Sequence, residues 1–362
     1  MRRSQEVAVG GLDDTWPGTE AGQLAAIARA TIASRVAATS LGPDPSSPPR
    51  LPSPPSPPSP PSLPSWIGRF RPTARLRQTP LAEVFAARCD SDDGTTEFAA
   101  VKRIRPNLMH VANARALFAH EAQLLAELDH PAIPRGLDLS EAASHGHFVT
   151  ELVPGQGLID LVRRAEQFGI RIPLRHAISI VASIAEALEH VHTATDSAGG
   201  PLGIVHTDIR PANLMIAADG TVKLVDLGIA RSRLAAAAVR SRPPTGPVAY
   251  MSPEQSRGEP VDRRSDVYAL GVMLWELSTW SRLYARLAPE QVVARVAIGA
   301  VPLPSQIRAD IPAELEDAMM IALQPAPQRR FSGAGEFALV LRRLAGPADP
   351  RGLDAWIRRM VH

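Results

Sequence analysis

The sequence predicts an α+β fold, with a small sheet-rich lobe followed by a larger helical lobe and a cleft between them. Three observations lead there. Between about Arg69 and Ala345 apolar periodicity is continuous and the loops are short. The first part of that span, to about Leu152, carries the strand-like runs FRPTARLR, AEVFAARC, EFAAVKRI and HFVTEL, interrupted by one helical segment from Val111 to Leu128. The remainder reads as helices, except for one hairpin marked by Asp219-Gly220 between LMIA and TVKLVDL.

Composition bounds the rest. The chain has 362 residues, 45% of them hydrophobic and 21% charged, which suits a packed core rather than a disordered chain. Net charge is +2, from 39 basic and 37 acidic side chains, and no block of like charge marks a nucleic-acid partner. A single cysteine, Cys89, excludes an internal disulfide and suits a reducing compartment. The basic residues at the start are followed by no apolar run, so no signal peptide is expected. No stretch of about eighteen apolar residues would span a membrane. The expectation is a cytoplasmic protein.

The 35 prolines are clustered. Residues 43–64 hold twelve of them, with six serines, and include the three-residue period PSPPSPPSPPS. Such a stretch neither packs a core nor supplies enough backbone donors, so 43–65 reads as an extended polyproline II spacer. A proline-recognising partner at 43–64 is the sharper reading of the same segment. Upstream, within residues 1–42, Leu24, Ile27, Ile32, Val36 and Leu41 fall at roughly helical spacing and predict a short amphipathic helix between Ala21 and Leu41. The main domain is placed at 69–345, with a tail or helix at 346–362.

Chemistry concentrates between Ile204 and Ala230, in IVHTDIRPANLMIAADGTVKLVDLGIA. Asp208 and Asn213 lie five apart, and Asp226 follows thirteen later, across the hairpin. A hard cation such as magnesium needs oxygen ligands, which a carboxylate and an amide at adjacent strand ends supply. A second carboxylate nearby can orient a hydroxyl and take its proton. The pattern H-x-D-x-x-x-x-N, strand, turn, D-x-G resembles the catalytic segment of protein kinases, H-R-D-L-x-x-x-N followed by D-F-G. It is most similar to the eukaryotic-type (Hanks-type) serine/threonine kinases of bacteria.

The resemblance extends in order over the whole of 69–345. It implies a protein-kinase-like two-lobed fold that binds ATP and Mg2+ and acts on protein substrates. By position it makes Lys102, in FAAVKRI, the lysine that contacts the α- and β-phosphates, and Glu121, in AHEAQLLAEL, its helical partner. It makes Asp208 and Arg210 catalytic, and Asn213 and Asp226 metal ligands. Val84, Ala100, Thr150, Glu151, Val153 and Met215 fall where the family encloses the adenine, with Thr150 at the gatekeeper and Glu151 and Val153 on the hinge. Ser252-Pro253-Glu254 matches A-P-E, Asp266 the buried aspartate that ties down the catalytic loop, and Arg330 the arginine that pairs with that glutamate. His206, Met319 and Met320 read as packing residues, and Cys89 as inert.

Four departures from the family pattern bear on turnover or, at Thr207, on regulation. The phosphate-covering loop, G-x-G-x-x-G in the family, is Arg77-Gln78-Thr79-Pro80-Leu81-Ala82, with no glycine to let the backbone approach phosphates. Thr207 replaces the arginine of H-R-D, so a phosphorylated activation segment, with Ser232, Ser241 or Thr245 as acceptor, lacks its main receptor. Arg210 stands for a lysine, which keeps the charge but not its shape. Pro247 removes a hydroxyl that the family bonds to the catalytic aspartate. Lys102, Glu121, Asp208, Asn213 and Asp226 are nonetheless all present. The expected function is a serine/threonine protein kinase of low turnover. A kinase-fold scaffold without turnover is the alternative. A small-molecule phosphotransferase of the aminoglycoside or choline kind is disfavoured by the MSPEQ segment and the Asp266 helix.

Overall fold

Along β2 (Ala82–Asp90), Phe85, Ala87 and Cys89 are buried while Val84, Ala86 and Arg88 are half-buried, the period-2 signature of a strand with two unlike faces. A computed structural model describes residues 63–361, apart from 91–95, 141, 143, 228–229, 231–247, 286 and 348–349. The expected helix between Ala21 and Leu41, most of the proline-rich segment, Pro247 and the acceptors Ser232, Ser241 and Thr245 lie outside the described residues.

β2 joins β1 (Arg71–Gln78), β3 (Thr96–Ile104), β4 (Gly136–Asp138) and β5 (His147–Glu151) in a sheet of order β1-β2-β3-β5-β4. Every neighbouring pair is antiparallel. One face closes over a small core of Ile67, Phe70, Phe85, Ala87, Cys89, Ala99, Val101 and Val149. The other carries Val84 opposite Lys102, and Ala100 opposite Thr150, all half-buried. Helix α1 (Ala112–Ala126) follows β3, and its Phe118 ring meets Phe148 of β5 at 4.9 Å.

The larger lobe begins with β6 (Gly155–Gly157), α2 (Leu158–Phe168) and α3 (Leu174–Thr193), and then the hairpin of β7 (Leu214–Ala217) and β8 (Val222–Leu224). Gly220 turns that hairpin at φ +84, a conformation that glycine adopts without a Cβ penalty. Helices α4 (Pro253–Ser256), α5 (Arg263–Thr279), α6 (Pro289–Ile298), α7 (Pro304–Ile307), α8 (Ala313–Ala322), α9 (Ala334–Ala345) and α10 (Pro350–Val361) complete it. α5 is buried from Ser265 to Thr279, as a helix apolar on every side must be. It packs between α3 and α8, and a Cβ on Gly271 would stand only 3.0 Å from that of Ala322. Beyond Ala345, Leu353 and Trp356 of α10 are buried in the same core. Among the described residues no helix is long and apolar enough to cross a membrane.

One packing expectation needs correction. Met319 is fully buried, but Met320 is half-buried. The inward stripe of α8 is Leu315, Ala318, Met319 and Ala322, a helical i, i+3, i+4, i+7 set, and Met320 falls beside it.

The large lobe is cross-linked by a buried bidentate ion pair. Arg330 donates from both terminal nitrogens to the Glu254 carboxylate at 2.7 Å, and also to the carbonyls of Arg264, Gln324 and Pro325. Ser265 Oγ donates to the same carboxylate at 2.6 Å. Burial pushes the Glu254 carboxyl up, but the guanidinium and the hydroxyl outweigh it and hold it below the usual carboxylate range. The pair's stabilisation is therefore complete above that range and is lost as pH falls through the depressed folded value. Arg330→Met, which strands a buried carboxylate, is expected to cost about 3–5 kcal/mol at neutral pH. Urea denaturation measures this, and the gap from wild type should narrow in acid, where Glu254 is protonated.

Candidate active site

Lys102 is placed near the end of β3 and Glu121 on the inward face of α1, and the two side chains meet. Lys102 Nζ donates to Glu121 Oε1 at 2.6 Å and Oε2 at 2.7 Å, and to Asp226 Oδ1 at 2.9 Å. Burial alone would lower the lysine, but the two carboxylates raise it above its ordinary value. Burial pushes Glu121 up to about 7, with the nearby Asp226 charge adding to the rise and Lys102 opposing it. Two carboxylates thus share one buried ammonium, and Asp226 brings the large lobe into the pair.

The loop carrying Asp208 rests on Asp266. That carboxylate, 1% exposed, accepts from His206 N at 2.8 Å, Thr207 N at 2.8 Å and His192 Nε2 at 2.8 Å. Burial alone would raise Asp266, but the histidines and the Thr207 N–H keep it below the ordinary range. Thr207 sits at φ +67, where a β-branched residue is about 1–2 kcal/mol out of its preferred region. Its N–H is held by Asp266 and its carbonyl by Gln255 Nε2 at 3.0 Å, so both sides of the strained residue are fixed. His206 accepts from Asp208 N at Nδ1 and therefore donates from Nε2 to the Asp226 carbonyl at 2.7 Å. It is a packing residue that also ties the two acidic segments together.

Asn213, 1% exposed, donates from Nδ2 to the Asp208 carbonyl at 2.8 Å and to Asp208 Oδ2 at 2.9 Å. Arg210 Nε lies 3.1 Å from Asp208 Oδ1. Asn213 Oδ1 and Asp226 Oδ2 face a side chain that sequence reasoning treated only as a missing glycine. Arg77 Nη2 donates to Asn213 Oδ1 at 2.8 Å, and Nη1 lies 3.4 Å from Asp226 Oδ2. The turn after Arg77 is tight. Thr79 N donates to the Ala82 carbonyl at 2.8 Å, and Ala82 N returns to Thr79 Oγ1 at 2.9 Å.

Val84, Ala100 and Thr150 line the cleft side of the sheet, with Lys102 beside them. Met215, half-buried on β7, lies in the larger lobe below, and Val153 is 7% exposed in the segment joining the lobes. Glu151 turns its carboxylate to Lys223 of β8, at 2.8 and 3.0 Å. Gln255 is the other residue that sequence reasoning passed over. The available signal was the S-x-x-Q capping box, in which Ser252 and Gln255 close the start of α4.

An ion pair from strand to helix, opposed across a cleft by a carboxylate and a carboxamide, is the arrangement of a two-lobed phosphotransferase. Comparison with known proteins carries this further. Residues 82–338 match the protein kinase domain, and the chain belongs to that family. It is 33% identical over 264 residues to the tyrosine-protein kinase MasK of Myxococcus xanthus, covering 73% of this chain and 41% of that one. It is 36% identical over 252 residues to the serine/threonine-protein kinase PknB of Mycolicibacterium smegmatis, covering 68% of this chain and 38% of that one. The matched span is therefore less than half the length of these curated relatives. Among solved structures, the Mycobacterium tuberculosis PknI kinase domain superposes with a TM-score of 0.55 at 24% identity, covering 79% of this chain and 100% of that one, which bears on the fold.

ATP and Mg2+ are the family's substrate and cofactor. The donor set fits the ion. Asp226 offers a carboxylate oxygen and Asn213 a carboxamide oxygen, both within reach of one guanidinium. That suits Mg2+, which takes one or two protein oxygens and completes its shell with phosphate and water.

If Asp266 holds the loop as described, Asp266→Asn turns an amide N–H toward one of its three donors. The expected cost is about 1–3 kcal/mol, with faster amide exchange at His206 and Thr207. Urea denaturation and hydrogen exchange measure the two effects.

Proposed function

We propose that this domain transfers the γ-phosphate of ATP to serine or threonine hydroxyls of protein substrates. The observation that supports it most is the closed Lys102–Glu121–Asp226 cluster, standing beside Asn213 and Asp208. In this reading Asn213 and Asp226 hold Mg2+, which when bound neutralises charge on the phosphates. Lys102, kept charged by its two carboxylates, binds the α- and β-phosphates. Val84, Ala100, Thr150, Glu151, Val153 and Met215 enclose the adenine.

Asp208 orients the acceptor hydroxyl and takes its proton as the hydroxyl oxygen bonds to the γ-phosphorus. The bond from that phosphorus to the β–γ bridging oxygen breaks in line, and ADP leaves with the electron pair. Arg210, against Asp208, places positive charge beside the transferring group. The preference for serine and threonine follows PknB and its relatives, which are named serine/threonine kinases, whereas MasK is named a tyrosine kinase. The reading places the domain in the cytoplasm, where ATP is abundant and the buried Cys89 stays reduced. It leaves the spacer at 43–64 as the place for a proline-recognising partner.

The test is incubation with labelled ATP, Mg2+ and a generic basic protein, followed by phosphoamino-acid analysis. Wild type is expected to label serine or threonine. Asp226→Asn and Lys102→Met should each lower transfer by at least about 100-fold while melting cooperatively. Equal transfer by wild type and Asp226→Asn would contradict the assignment, and label confined to tyrosine would contradict the acceptor.

A further inference from the structure

The β1 strand carries an irregularity that decides where one arginine points. Arg75 pairs with Phe85 and Arg77 with Val84, so two steps along β1 match one step along β2. In a regular strand Arg75 and Arg77 would share a face. The extra residue, Leu76, separates them, which is what a β-bulge does to the side chain that follows it. Arg75 stays on the face of Phe85 and reaches Glu83 at 3.2 Å. Arg77 joins the cleft face, in a row with Val84 and Lys102 across three strands.

The row sets two cations on one carboxylate. Lys102 takes Asp226 Oδ1 and Arg77 faces Asp226 Oδ2, while the same guanidinium takes Asn213 Oδ1. The oxygens suited to a divalent ion are therefore already in contact with a protein cation. Glu121 and Asp226 are likewise balanced by two positive side chains, Lys102 and Arg77. A divalent ion brought to this pair would meet a full positive charge at the same oxygens, and one cation must leave. Lys102 is 11% exposed and bonded to three carboxylate oxygens at 2.6 to 2.9 Å. Arg77 is 27% exposed and stands 3.4 Å from Asp226. Arg77 is the one free to go.

We propose that Arg77 is a built-in competitor for the divalent ion: it occupies Asn213 and Asp226 when no metal is bound, and the ion enters by exchanging with it. This rests on the assignment of Asn213 and Asp226 as the metal pair under the proposed function. The loop in which the family carries glycines then does more than lack them, because one of its side chains sets the threshold of metal binding. Arg77 acts on the reaction through the metal ligands and is a positioning residue.

The experiment is a titration of the protein with Mn2+ alone, following the electron paramagnetic resonance signal of the free ion. Wild type, Arg77→Met, Arg77→Lys and Asp226→Asn are compared, with melting curves to show that each is folded. Removing a part-exposed competing charge should tighten Mn2+ binding about tenfold in Arg77→Met. Arg77→Lys, with a point charge but no fork, should fall between it and wild type, and Asp226→Asn should abolish the site. Binding by Arg77→Met that is equal to wild type, weaker, or absent overturns the exchange and leaves the proposed function standing. Binding by Asp226→Asn equal to wild type places the ion elsewhere and overturns both.

Discussion

Glu121 and Asp226 both converge on the buried ammonium of Lys102, and the placement of the site depends on that convergence. Lys102 comes from the small sheet, Glu121 from the helix beside it, and Asp226 from the end of the hairpin in the larger lobe. Apolar packing positions each element, and the shared charge holds the three side chains to one another. Two carboxylates this close would repel without the lysine, and the lysine would be costly to bury without them. Burial and the Asp226 charge raise the Glu121 carboxyl, and Lys102 opposes them.

A second buried carboxylate does for the backbone what the first cluster does for side chains. Asp266 holds two successive N–H groups of the loop that carries Asp208, and one of them belongs to a threonine in the left-handed region. The strain at Thr207 persists because Asp266 and Gln255 grip both of its backbone polar groups. With that loop fixed, Asp208 and Asn213 can hydrogen-bond each other and His206 can reach the Asp226 carbonyl. The absence of arginine at position 207 does not leave the loop unsupported.

Much of this is legible in the residues. The alternation of β2 and β3, the apolar breadth of α5, and the spacing of Asp208, Asn213 and Asp226 each have one economical structural solution. The Glu254–Arg330 pair is legible only through the family pattern, since its partners lie 76 residues apart and no local signal joins them. Arg77 is different. A period-2 reading puts it beside Arg75, away from the cleft, and nothing in FRPTARLRQ marks where the bulge falls. Gln255 has a recognisable capping role, but its reach to Thr207 depends on a tertiary approach. The positive φ of Thr207 is likewise invisible, because glycine or asparagine is the residue type expected there. What sequence reasoning misses is where the register or the backbone departs from the regular case.

The most direct test of the site is a crystal structure of the protein with Mg2+ and a non-hydrolysable ATP analogue. The expected result is an ion coordinated by Asn213 Oδ1 and Asp226, Lys102 still bonded to Glu121 while contacting the nucleotide phosphates, and the Arg77 guanidinium beyond hydrogen-bond distance of both metal ligands. A nucleotide seated in the cleft with Arg77 still on Asn213 and Asp226, and no ion between them, would contradict it.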